Sequence, residues 1–178
     1  MRHHINIIAL AVRFAIVIAS CIAIFHLAMA VFFHVQDGHL LVKEFFSDYF
    51  TPLAKNTPYR NNEWFGSAFC IIYAALLIYC VTGLRSFYKS LNRIKIGGMF
   101  EPGQDEAFRK AAATIIIFAK SKYLLFCTMG SMLYFDLTIF FREIPSFLAV
   151  YLIGKFIYLV SGMAERGAFI QEENQLTI

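Results

Sequence analysis

Four ionisable side chains stand inside long apolar runs of this chain: Arg13, His26, Asp136 and Lys155. A charge at the centre of a bilayer costs about 2.5 to 3.5 kcal/mol on insertion scales, so each such residue needs a partner or a task. Asp136 and Lys155 are complementary. If the runs that carry them form a hairpin turning near Arg142 and Glu143, they lie within about six residues of one depth, about 9 Å along the axis. A lysine side chain covers much of that distance, so the spacing predicts an intramembrane ion pair, with an ion or proton pathway as the alternative. His26 has the chemistry of a haem or metal ligand. A bis-histidine site needs a second histidine, and no other apolar run supplies one, so His26 reads as a packing residue. His3, His4, His34 and His39 lie outside the runs. Ser, Cys and His show no grouping along the chain that suggests nucleophile and base, and no glycine-rich phosphate cradle follows a strand. No enzymatic activity, metal or cofactor is expected.

The elements that carry these residues are set by hydrophobicity. Of the 178 residues 59% are hydrophobic, and mean hydropathy is +0.61, too apolar for one water-soluble core. Residues 64–83, WFGSAFCIIYAALLIYCVTG, contain no charge, and twenty residues at about 1.5 Å each match a hydrocarbon core of about 30 Å. Four spans follow from the same reasoning, at about 10–33, 64–83, 113–141 and 144–163, in one all-α polytopic membrane domain over 1–178. The third span has two readings. Either it begins near Ala111 and carries Lys120 and Lys122 towards the interface by snorkelling, or it begins at Tyr123. A signal peptide cleaved at Ala28-Met29-Ala30 and a lipoprotein box at Ile18 to Cys21 are both disfavoured, because the apolar run continues to Phe33.

Cys21, Cys70, Cys80 and Cys127 all sit in apolar runs without a CxxC, and read as small buried hydrophobes. In the first connection, Leu40, Leu41, Phe45, Phe46, Tyr49 and Phe50 recur at helical spacing among charges, the pattern of a short helix on the membrane surface with Trp64 at headgroup level. Net charge is +4. The cations flank spans and form no separate domain, which argues against direct nucleic-acid binding. Residues 84–122 hold Arg85, Lys89, Arg93, Lys95, Arg109, Lys110, Lys120 and Lys122, against Lys43, Lys55 and Arg60 in 34–63. The positive-inside rule therefore places the 84–112 loop, both termini and the 164–178 tail in the cytoplasm.

Two motifs carry a resemblance. Leu91-Asn92-Arg93-Ile94 leads into Gly98-Met99-Phe100-Glu101-Pro102, and the chain closes on Glu172-Glu173-Asn174-Gln175-Leu176-Thr177-Ile178. Both resemble the bacterial membrane proteins of the domain-of-unknown-function 2975 family, and the likeness covers nearly the whole chain. Glu101 departs from it, standing where Ser or Thr would cap better. The resemblance implies a four-span protein of the bacterial inner membrane and names no reaction. Genes of that family often neighbour small helix-turn-helix regulators, which implies a regulatory or interaction protein holding such a partner. Phe100, Pro102, Glu172, Glu173, Asn174, Leu176 and Thr177 are then the docking candidates. The tail either folds back on the basic loop, acid against base, or offers itself to the partner. An immunity-type protein binding a membrane-active toxin, and a small transporter or ion-pathway component, are the alternatives.

Overall fold

Long apolar runs with no proline beyond their first turn leave the backbone one way through hydrocarbon, the helix, in which every interior N–H and C=O is bonded within the segment. The computed structural model describes residues 2–35, 38–47, 49, 62–96, 103–135 and 137–176. Its elements are α1 (Arg2–Phe32), α2 (Gly38–Ser47), α3 (Glu63–Ile96), α4 (Gln104–Tyr134), α5 (Ile139–Arg142) and α6 (Ile144–Leu176), and no strand occurs among the described residues. Four helices are long and apolar enough to cross a membrane: His3–Phe32, Glu63–Ile94, Gln104–Met132 and Ile139–Gly167, the last formed by α5 and α6 together. Pro145 falls at the second residue of α6, where a missing N–H costs the helix nothing.

The long helices pack in chain order. α1 lies on α3, α3 on α4 and α4 on α6, and α1 makes no comparable contact with α4 or α6. Small residues set the closest approaches. A Cβ on Gly83 would meet Thr114 at 2.7 Å, and one on Gly154 would meet Ile116 Cγ1 at 2.6 Å, so these glycines fix the α3/α4 and α4/α6 spacings. Three apolar clusters fill the contacts, with Phe33, Phe69 and Phe126 at one end, Ala23, Ala74 and Phe118 in the middle, and Phe108, Ile115 and Ile157 at the other. That last end also carries Arg85, Lys89, Arg93, Arg109 and Lys110, all exposed, and is called the cationic end below.

Several boundaries differ from those read off the sequence. α4 runs unbroken from Gln104 through both of the starts read for the third span, and it ends at Tyr134 rather than 141. Phe135 closes it in the left-handed region, φ 49°, donating its N–H to the Gly130 carbonyl. The chain then descends alongside α4, so Ile139 packs on Gly130 and Phe147 on Tyr123, with ring centroids 5.1 Å apart. Most of the expected 84–112 loop is helical, because α3 continues to Ile96 and α4 starts at Gln104. The tail does not fold back between 164 and 176: α6 simply continues, since nothing in that stretch breaks a helix.

α2 departs most from expectation. One side of it packs inward: Val42 and Phe46 are buried, and Phe46 packs its ring on Phe69 of α3 at 5.2 Å, while Leu40 and Leu41 stay exposed. Phe45 and Tyr49 reach further, against His26 at 5.8 and 6.4 Å. The amphipathic pattern was real, and the part of its apolar face formed by Phe45, Phe46 and Tyr49 meets aromatic rings of α1, α3 and α4.

Candidate functional site

The polar groups that matter lie on elements that the sequence placed at the surface. α4 carries Lys122 twelve residues before its end at Tyr134, about 18 Å along the axis, well inside the span. Because the 137–143 segment comes back down beside α4, Glu143 arrives at the same depth. Lys122 Nζ stands 3.7 Å from Glu143 Oε2 and donates to Ser146 Oγ at 2.9 Å. Both charged side chains are about four-fifths buried, at 21% and 18% exposed. The Lys122 ammonium also sits 5.2 Å over the Phe126 ring, which faces Tyr49 and Tyr73. Arg142, next to Glu143, donates through Nη2 to the Tyr49 carbonyl at 2.7 Å, tying the far end of α2 to the start of α6. Tyr123 donates to the Phe140 carbonyl at 3.1 Å. A cation, an acid and a hydroxyl thus meet within the membrane-spanning part, each with a partner.

This pair answers the cost that Lys122 poses without snorkelling. An ammonium with a carboxylate, a hydroxyl and an aromatic face has most of its hydration replaced. The sequence signal was present but weak: an acid immediately before Ile144-Pro145 reads equally well as a turn between spans. The expected partner of Lys155, Asp136, lies outside the described residues. Lys155 itself is exposed, with its ammonium 5.6 Å over the Tyr151 ring, one residue from the Gly154 contact with Ile116.

At the end opposite the cations, the fold brings together a serine and a histidine that stand far apart in the sequence. Ser67 Oγ is 3.0 Å from His34 Nε2, and His34 Nδ1 is 3.9 Å from Glu63 Oε2. This order of groups is that of a hydrolase triad. The hydrogen bonds decide against that use. Ser67 donates its only proton to the Ala30 carbonyl at 2.9 Å, so Oγ accepts from His34 and offers no proton to a base. It is also 5% exposed, shut between α1 and α3. The cluster is a clamp from α1 to the first turn of α3, with Trp64 against the His34 ring at 5.0 Å and Asn62 Oδ1 accepting from the Trp64 N–H as the helix cap. Trp64 is otherwise open, 76% exposed, as expected of a ring at headgroup level.

His26 is buried as a packing residue would be, at 1% exposed. Its Nδ1 is 2.8 Å from the Ile22 carbonyl, which only accepts, so Nδ1 carries the proton and Nε2 is a bare acceptor without a partner. Tyr73, Phe25 and Phe45 surround the ring at 4.7, 5.7 and 5.8 Å. No group of three His, Cys, Asp or Glu able to hold a metal occurs among the described residues. Cys70, Cys80 and Cys127 are buried and Cys21 is exposed, on the outer face of α1.

No family model, curated protein or solved structure matches the chain. The docking candidates must therefore be placed by geometry alone. Phe100, Pro102 and Thr177 lie outside the described residues. Glu172, Glu173, Asn174 and Leu176 are on the last turns of α6, Glu173 exposed. Leu91 and Arg93 of the first motif are on α3, buried and exposed respectively. The described parts of both motifs therefore lie on helices at the cationic end.

Proposed function

We propose that the chain is a non-enzymatic regulatory or interaction protein of the bacterial inner membrane, acting through its cationic end on the cytoplasmic side. One observation carries the reading: three helices run past their apolar stretches at the same end, and are fastened to one another where those extensions begin. α3 and α6 each continue thirteen residues beyond Gly83 and Met163, about 20 Å, and α4 begins nine residues before 113. They are fastened there. Ser161 donates to the Asp105 carbonyl at 2.7 Å, Gln104 to the Ser90 carbonyl at 3.2 Å, and Phe87 packs on Phe108 at 5.7 Å. Beyond that fastening α6 presents Phe169 and Ile170, exposed beside Glu165 and Arg166, a mixed apolar and charged face of the kind a soluble partner grips. The positive-inside rule supports the cytoplasmic side.

The test is recovery of partners from native membranes in mild detergent, with and without residues 171–178. A DNA-binding regulator that is lost with the tail, and that rebinds the purified chain until Arg85, Lys89 and Arg93 become Gln, is expected. Recovery of a secreted, membrane-active protein indifferent to the tail would replace this reading with immunity. The ion-pathway reading has one observation in favour, the Lys122/Glu143 pair within the spans. The pair is closed on itself by Ser146 and Phe126, the pattern of a fastening and not of a relay.

A further inference from the structure

Between α1 and α6, which do not pack on each other, the cationic end holds a groove of about 670 Å³ whose walls are apolar throughout. Ile5 and Val12 of α1 face Phe156 and Val160 of α6 across it, with Leu91 of α3 and Phe108 of α4 as its floor. Its α1 wall runs from Ile5 to Ala15, about 15 Å. Slender hydrocarbon chains fit it. No wall residue offers a polar atom to a headgroup, so any polar part of the occupant must sit outside the mouth. Around that end the described side chains of Arg85, Lys89, Arg93, Arg109, Lys110 and Arg166 outnumber those of Asp105, Glu106, Glu165 and Glu173. The field there favours a negative head.

We propose that this groove binds an anionic phospholipid, its acyl chains laid between α1 and α6 and its phosphate among the cations of α3 and α4. The lipid stands where a direct α1/α6 contact would be in a closed four-helix bundle. The inference does not rest on the docking reading, since it needs only the purified chain and lipid.

The test delipidates the full chain in detergent, adds phosphatidylglycerol or phosphatidylcholine of matched acyl chains, and counts retained lipid by native mass spectrometry. Phosphatidylglycerol is expected to be retained at least tenfold better. Ala11→Phe, which fills the groove, is expected to abolish retention of both, with helix content by circular dichroism as the check on folding. Should that variant not fold, Arg93→Gln with Arg109→Gln leaves the groove open and is expected to cut the preference severalfold. Equal retention of the two lipids by the wild-type chain overturns the proposal, as does phosphatidylglycerol retention that survives Ala11→Phe. Self-association that disappears in Ala11→Phe overturns it in favour of a second copy.

Discussion

Lys122 and Glu143 show what a single charge does inside a span. Removing one partner strands the other in a low-dielectric place, and removing both leaves little to regret. Lys122→Met is therefore expected to destabilise the protein by about 2 kcal/mol, Glu143→Gln by a similar amount, and the double variant by clearly less than the sum. Thermal unfolding in detergent of the four proteins measures the coupling; strict additivity would deny the pair. Ser67 plays a smaller part. Ser67→Ala should cost about 1 kcal/mol, because the Ala30 carbonyl loses its donor and His34 its acceptor. A hydrolase nucleophile would lose all activity with little change in melting temperature, so the same variant distinguishes clamp from catalyst. Neither cluster was legible beforehand. Ser67 and His34 are 33 residues apart and Lys122 and Glu143 are 21 apart, and only the depth at which each segment runs brings them together.

At the level of elements, the long helices were legible because hydrophobic length is a strong signal and Gly97-Gly98 and Pro102-Gly103 mark the break between α3 and α4. The short ones were misjudged for one reason: an amphipathic helix looks alike whether its apolar face meets lipid or a protein groove. Phe46 separates the two cases. Buried against Phe69 and Phe33, its replacement by Ala should cost about 3 to 4 kcal/mol, whereas a lipid-facing residue would cost almost nothing. The end of α4 offers the opposite test. Phe135 is exposed and holds a left-handed backbone at some expense, so Phe135→Gly should raise stability by about 1 kcal/mol, seen as a higher melting temperature. Gly154→Leu should push α6 off α4 and lose folded protein in the membrane, because even a Cβ there would meet Ile116 Cγ1 at 2.6 Å and its backbone N at 3.3 Å.

For the whole molecule, the charge asymmetry makes a directional claim. A single cysteine at Lys110 in a chain with its four native cysteines replaced should react with a membrane-impermeant maleimide only after cells are opened, and one at Trp64 should react in intact cells. The reverse pattern would invert the protein and move the docking end outside. The pairing of the long helices has another consequence, for biogenesis. Each of α3, α4 and α6 packs on the long helix made just before it, so every newcomer to the bilayer finds its main partner already there. No helix has to be held in reserve for a later one, and the chain can assemble span by span as it emerges. The same serial arrangement predicts how it comes apart: under a pulling force on the N-terminus, α1 should peel from α3 first and alone, leaving the α3, α4 and α6 stack intact.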